Sequence, residues 1–154
     1  MSTFTNLLFH IVYSTKYRKP TMDASCRDEL YGYAGGITRE NKGTLLCMGG
    51  VSDHVHLLAK LSPTIALSDM LRLIKSNTSK MVNEHIKPKR SFEWQTGYGV
   101  FSVSESQHEV VRKYVLNQEE HHRKRTFEEE FIELLQKHNI ACDERYVFEQ
   151  EIIQ

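Results

Sequence analysis

The sequence predicts an α+β protein built on a four-stranded antiparallel sheet. Short runs rich in β-branched and aromatic residues predict strands, and longer segments in which apolar residues recur every three or four positions predict helices. These segments follow one another in the order β-α-β-β-α-β. With 154 residues, 40% hydrophobic and 26% charged, the chain has the size and composition of one globular domain, which excludes disordered and fibrous proteins.

The first half of the chain predicts a strand, a helix and a hairpin. The apolar run at 7–13 predicts a strand buried on both faces, and a basic loop follows it. Apolar residues at helical spacing predict a helix at 23–41. Two further strands, at 45–51 and 54–61, flank the turn-forming pair Ser52-Asp53, which indicates a hairpin.

The second half completes the pattern. Ser106 and Glu109 have the spacing of a capping box and predict the start of a helix. The predicted elements are, in order, a helix at 67–85, a loop at 87–97, a strand at 98–103 and helices at 107–124 and 127–138. This is the ferredoxin-like arrangement, with two helices on one face of the sheet, an additional C-terminal helix that carries Tyr114, and an acidic helical tail.

The charge of the chain is unevenly distributed. Lys and Arg together number 20, as do Asp and Glu, which argues against an indiscriminately basic nucleic-acid binder. Residues 1–125 nevertheless carry 18 basic and 12 acidic side chains, whereas residues 126–154 carry 2 basic and 8 acidic ones. We therefore predict that residues 1–125 can bind an anionic ligand, and treat 126–154 as an acidic extension of the same domain.

Cysteine content and hydropathy predict a cytoplasmic protein that does not interact with membranes. The three cysteines, Cys26, Cys47 and Cys142, are odd in number and too scattered for a zinc pair, so we expect reduced thiols. The apolar run at 7–13 is far shorter than the roughly 20 residues of a membrane span, and no basic segment of the signal-peptide type precedes it.

Two histidines on the second hairpin strand are candidate metal ligands. Side chains alternate along a strand, so His54 and His56 face one way while Val55 and Leu57 face the other. Two imidazoles on one face can converge on one ion. The alternative is that both are polar residues on a solvated sheet face.

Tyr114 and Gln118 form a second candidate pair. They are four residues apart on the predicted helix and therefore lie on the same helical face. The alternative is a core tyrosine whose hydroxyl finds a partner at the edge of the core. The following basic run, His121 to Arg125, fits either a solvated helix end or a phosphate-binding patch.

Together these features resemble the single-tyrosine HUH transposases of small bacterial insertion sequences. The resemblance rests on His54-Val55-His56 and on Tyr114 with Gln118, and it extends to His10, Lys16-Tyr17-Arg18, Lys75 and the segment Trp94 to Tyr98. It implies that His54, His56 and Gln118 hold one divalent ion and that Tyr114 is the nucleophile. It also implies a homodimer in which each tyrosine helix can complete the metal site of the partner.

The chemistry of these groups is consistent with the implied roles. Two imidazoles and an amide oxygen leave open positions for phosphate oxygens, which favours Mg²⁺ or Mn²⁺ as a Lewis acid over a closed structural zinc site. A tyrosine has a pKa near 10, so its phenolate needs stabilisation as it attacks. The expected product is a 5′-phosphotyrosine with a free 3′-hydroxyl. This exchange of one phosphoester for another needs no ATP, and no P-loop motif is present.

The implied substrate is single-stranded DNA that forms hairpins at element ends. Phosphate contacts are expected from cationic side chains, and bases could stack on Tyr17 and Trp94, although the interpretation of Trp94 as a core residue is favoured. The expected cationic contacts are Lys16, Arg18, Lys19, Lys75, Lys87, Lys89, Arg90, Arg112, Lys113, Arg123, Lys124 and Arg125.

Two alternative functions stay open at this point. One is an HUH relative with the same chemistry and another substrate, such as an enzyme for replication initiation, for conjugative nicking or for host palindromic repeats. The other is a non-catalytic ferredoxin-like module that binds nucleic acid. The acidic extension could cover the body of the domain by charge complementarity or extend the dimer.

Overall fold

The computed structural model describes residues 1–86 and 91–148, and it has the predicted α+β architecture. The four strands are β1 (Leu8–Ser14), β2 (Thr44–Gly50), β3 (His54–Lys60) and β4 (Gly99–Ser102). They form one sheet in the order β2-β3-β1-β4, and every neighbouring pair is antiparallel. Each predicted strand is present, with its ends displaced by at most one residue.

Two helices, α1 (Ala24–Glu40) and α2 (Leu67–Met81), pack on one face of the sheet. The Asp23 side chain caps α1 by accepting a hydrogen bond from the Cys26 backbone N–H at 2.9 Å. The helix predicted at 67–85 ends early because the chain widens into a π-helical turn, Val82–Ile86. In this turn the Asn83 side chain pairs with the backbone of Phe92, at 2.7 and 3.0 Å.

The opposite face of the sheet is covered by three shorter helices, α3 (His108–Leu116), α4 (Gln118–His121) and α5 (Phe127–Lys137). Helix α3 lies against β2, and α5 packs aromatic and aliphatic side chains against Val12 and Phe101. A true capping box stands at the start of α5, where Thr126 and Glu129 bond reciprocally. Helix α5, in the first part of the acidic extension, therefore packs against the sheet.

The prediction of one continuous helix at 107–124 is wrong. The chain breaks at Asn117, which has φ −104° and ψ 31°, and the Gln118 side-chain amide donates to the Tyr114 carbonyl oxygen across the break. The predicted Ser106–Glu109 capping box is also absent from the described contacts. The Ser106 hydroxyl instead bonds that of Ser104 at 2.9 Å, because a 3-10 turn precedes the helix.

Within residues 1–86 and 91–148, none of the helices combines the length and apolar character that crossing a bilayer requires. The loop cations Lys87, Lys89 and Arg90 lie outside the described residues.

Candidate active site

The His54 and His56 side chains lie on the sheet face that α3, α4 and α5 cover. On the neighbouring strand they stand opposite Ser14 and Val12, at the end of the sheet where β3 begins. Both rings are fully buried. The interpretation of two polar residues on a solvated face is therefore wrong.

Two residues that the sequence analysis did not select, His122 and Glu130, meet this pair. The Glu130 Oε1 atom lies 2.8 Å from His56 Nε2, 3.0 Å from His122 Nε2 and 3.4 Å from His54 Nε2. One donor atom from each of the four residues lies within 4.8 Å of the others, so this four-residue cluster could hold a metal ion.

Each imidazole of the cluster is held at its other nitrogen. His54 Nδ1 bonds the Asp53 carboxylate at 2.7 Å, and His122 Nδ1 bonds the Arg125 carbonyl oxygen at 3.0 Å. His56 Nδ1 bonds the Nε2 of buried His10 at 2.8 Å. As a result, all three Nε2 atoms point at the same carboxylate oxygen.

The surroundings shift the pKa values of these rings in different directions. Burial disfavours the charged form of His54, but hydrogen bonds to Asp53 and Glu130 raise its pKa to about 9. Burial lowers the pKa of His56 to about 4. Burial also lowers the pKa of His10 to about 3, and the charge of the neighbouring His56 ring acts in the same direction. At neutral pH His54 is therefore an imidazolium, whereas His56 and His10 are neutral.

Glu130 is the only acidic member of the cluster and is completely buried. Burial would raise the pKa of its carboxyl group, but hydrogen bonds from the His122, His54 and His56 side chains hold this pKa well below its usual range. The group is therefore an anion enclosed by imidazoles.

The Tyr114 hydroxyl belongs to the same network. It donates a short hydrogen bond to Glu130 Oε2, and Arg125 Nη2 donates to it at 3.1 Å. The centre of the phenol ring lies 5.7 Å from that of His56. Burial and the bond to Glu130 raise the pKa of Tyr114, so the hydroxyl is protonated at neutral pH. It is half-buried among polar groups and does not lie in the apolar core.

Gln118 lies beside the cluster as well. Its Oε1 atom is 3.4 Å from His54 Nε2, and the side chain is almost fully buried. The structure thus brings together Tyr114, His54, His56 and Gln118 within one chain. Exchange of the tyrosine helix between two partners stays a prediction.

The expected DNA-contacting cations lie in several places. Lys16 pairs with Glu93 at 2.8 Å, Arg18 pairs with Glu128, and Lys19 is exposed. Tyr17 has a positive φ of 57°. The Nζ atoms of Lys16 and Lys19 lie 5.4 and 5.6 Å from the centre of its ring. The basic turn therefore exposes two lysines around a partly exposed aromatic ring.

On α3, Arg112 pairs with Glu109 at 3.1 Å and Lys113 is exposed. Arg123 lies in the turn after α4 and pairs with Glu120 at 3.4 Å. All three cations are exposed to solvent.

Lys75 and Trp94 have structural contacts. The Lys75 ammonium donates to the carbonyl oxygens of Gln95, Thr96 and Gly97 at 2.6, 3.1 and 3.0 Å. Trp94 is buried against Tyr13, and its indole N–H donates to Thr78 Oγ1 at 3.0 Å. The core interpretation of Trp94 is confirmed.

A cavity of about 650 Å³ opens beside the cluster. Asp53 and His122 lie in its wall, together with the basic run Arg123 to Arg125 and the acidic side chains of Glu128 and Glu129. It is a path by which a charged ligand can approach from solvent.

Comparison with known proteins gives a consistent result. The sequence pattern of the family described as "Transposase IS200 like" matches residues 3–118. The chain is 26% identical over 117 residues to ISDra2 transposase TnpA of Deinococcus radiodurans, a match that covers 73% of this chain and 84% of that protein. The family match ends before His122 and Glu130.

Two solved structures share the fold. One, described as a candidate transposase from Deinococcus radiodurans R1, has a TM-score of 0.61 and 24% identity, and the match covers 77% of this chain and 95% of that one. The other is a REP-associated tyrosine transposase bound to a REP hairpin. It has a TM-score of 0.54 and 13% identity, with 75% and 70% of the two chains covered.

Proposed function

Because this chain belongs to the IS200-like transposase family, we propose that it cuts and rejoins single-stranded DNA through a covalent bond between Tyr114 and a 5′-phosphate. One observation carries the proposal. The Tyr114 hydroxyl bonds one oxygen of Glu130, and the other oxygen of that carboxylate contacts three buried imidazoles. A nucleophile thus stands beside a cluster suited to a cation.

His54 and His56 are the proposed core of the cation site, with Gln118 Oε1 close to His54. The donor chemistry fits a divalent ion, because neutral imidazole nitrogens and an amide oxygen are all metal ligands. Mg²⁺ or Mn²⁺ bound here would polarise the scissile phosphate as a Lewis acid.

The residues around Tyr114 prepare its oxygen for attack. In the proposed step, the phenol oxygen gives up its proton to solvent and forms a bond to phosphorus while the bond from phosphorus to the 3′-oxygen breaks. The 3′-oxygen leaves with the electron pair and takes up a proton from solvent. Arg125 donates to the phenol oxygen and so stabilises the negative charge that develops on it. Glu130 accepts the phenol hydrogen bond and fixes the direction of the hydroxyl.

We propose single-stranded DNA containing a hairpin as the partner. The cations Lys16, Lys19 and Lys113 are exposed, and Arg123 lines the cavity beside the cluster. These side chains would contact backbone phosphates, whereas Tyr17 would stack on a base. A homodimer with shared active sites is proposed from the family resemblance alone.

The test is incubation with a library of single-stranded DNA hairpins and Mn²⁺, followed by denaturing electrophoresis for protein-linked DNA. We expect an adduct with the unmodified chain, its complete loss in Tyr114→Phe, and unchanged circular dichroism and hairpin binding in that variant. Tyr33→Phe, at an exposed position on α1, is the matched control and should keep the adduct. An adduct that survives Tyr114→Phe would remove this residue as the nucleophile. If EDTA and His56→Ala change nothing, the non-catalytic binding module is correct.

A further inference from the structure

We propose that His122 and Glu130 are direct metal ligands, so that the site is a four-donor centre of His54, His56, His122 and Glu130 in which nitrogen predominates. The inference rests on the proposed function and makes it more specific. Two of the donors come from β3. The other two come from the segment that follows the family match, and all four belong to one chain.

The nitrogen atoms that face the cluster support this ligand set. The Arg125 carbonyl and the Asp53 carboxylate can only accept hydrogen bonds, so His122 and His54 donate to them through Nδ1–H. When such a ring gives up its second proton, Nε2 presents the lone pair that can bind a metal ion. At both rings this Nε2 atom is aimed at a carboxylate oxygen 3.0 to 3.4 Å away.

Lone pairs that face a carboxylate repel it unless positive charge lies between them. Protons on the rings can supply that charge, as can a cation bound by all the donors. The second arrangement is the one usual at metal sites, where a ligating histidine donates its other ring N–H to a carboxylate or a carbonyl. His56 has an equivalent anchor, because its Nδ1 bonds His10.

The distances between the donors also suit one ion. Bonds of about 2.0–2.2 Å from metal to nitrogen or oxygen place neighbouring ligands roughly 3–3.5 Å apart. The Glu130 Oε1 atom lies 2.8, 3.0 and 3.4 Å from the three Nε2 atoms. Small side-chain adjustments are therefore sufficient for binding.

This donor set selects a class of metal. Mg²⁺ prefers oxygen ligands and retains bound water, whereas imidazole suits first-row transition metals. With three nitrogen donors and one carboxylate, the site should favour Mn²⁺, Co²⁺ or Zn²⁺ over Mg²⁺. Of the two metal ions expected from the sequence, Mn²⁺ should therefore bind to this site more tightly than Mg²⁺.

The experiment measures metal binding to the full chain without DNA, by calorimetry and by the visible absorption of bound Co²⁺. We expect one Co²⁺ per chain, bound at least 100-fold more tightly than Mg²⁺. His122→Asn and Glu130→Gln should each weaken Co²⁺ binding by at least tenfold and change its absorption spectrum. His108→Asn and Glu120→Gln, at surface positions outside the cluster, are matched controls and should bind Co²⁺ normally.

Several outcomes would overturn the inference. Unchanged Co²⁺ binding in both cluster variants would limit the ligands to β3 and Gln118. Equal or tighter binding in Glu130→Gln would show that this carboxylate only neutralises the imidazoles and competes with the metal. Equal affinities for Mg²⁺ and Co²⁺ would contradict the nitrogen-dominated site. Circular dichroism of each variant establishes that it is folded.

Failure of the proposed function would look different. Tyr114→Phe should still bind one Co²⁺ per chain, since all four proposed ligands remain, and yet form no DNA adduct. If the unmodified chain forms no adduct but shows the four-donor Co²⁺ signature, the metal site stands and the DNA chemistry is wrong.

Discussion

Replacement of Gly49 by alanine tests whether the contact between β2 and α3 positions the nucleophile. Gly49 is buried beneath α3. A methyl group at this position would overlap the Val115 carbonyl oxygen and lie 2.9 Å from the Val115 carbonyl carbon and 3.5 Å from Leu116 Cα. Each of these neighbours is backbone, so no side-chain rotation can relieve the overlap.

The size of the effect follows from these distances. Carbon atoms pack best at about 3.5–4.0 Å, so α3 must retreat by at least roughly 0.6 Å, and by more to clear the oxygen. Tyr114 directly precedes Val115 and moves with it. A misplacement near 1 Å costs on the order of 100-fold in rate, and overpacking of this kind costs about 1–3 kcal/mol of unfolding free energy.

The assay is the single-turnover rate of adduct formation with a hairpin substrate and Mn²⁺, corrected for the folded fraction from urea unfolding. Gly32→Ala is the control, because a methyl group there meets nothing within 4 Å on the exposed side of α1. We expect this control to gain about 0.5–1 kcal/mol in stability and to keep its rate. An unchanged rate for folded Gly49→Ala would refute the argument that this contact positions Tyr114.

Three further predictions concern stability. His10 and His56 have pKa values lowered to about 3 and about 4, so the unfolded chain takes up protons that the native state does not. In metal-free urea titrations the unfolding free energy should therefore fall as the pH drops from about 6.5 towards 4. Each group contributes at most about 1.4 kcal/mol per pH unit. The His10→Asn variant should show a weaker dependence on pH. Thr126→Ala should cost about 1 kcal/mol, because it removes the capping box with Glu129 at the start of α5; an unchanged urea midpoint would contradict this. Lys75→Met should cost about 2 kcal/mol by removing three hydrogen bonds to backbone carbonyls, and calorimetry would show the lower Tm.

The strands and the first two helices could be predicted from sequence because their signals are local. A mainly apolar run at 54–61 marks β3, and the alternation of side chains along a strand places His54 and His56 on one face. The break at Asn117 was not predictable in this way, since residues 118–124 contain no glycine or proline that would mark the end of a helix. It depends on where the buried Gln118 amide finds its partners.

The cluster could be predicted only in part. The spacing in His54-Val55-His56 is a recognisable pattern, whereas His122 and Glu130 are eight residues apart, with a helix start between them. Nothing local distinguishes Glu130 from its neighbours Glu128 and Glu129. One signal was available: in the helical pattern of α5, Glu130 falls beside the buried Phe127 and Phe131, where a carboxylate needs a specific partner.

Helix α5 contributes both to the apolar packing of the protein and to the four-residue cluster. Its Phe127 and Phe131 side chains complete an apolar cluster with Val12 and Phe101, and Glu130, between them in sequence, supplies the carboxylate facing the imidazoles. During synthesis strand β3, which carries His54 and His56, emerges from the ribosome long before this helix does. A nascent or prematurely terminated chain would thus contain the two histidines without the Glu130 carboxylate. The cluster can be complete only after α5, the last of the described helices, has been synthesised.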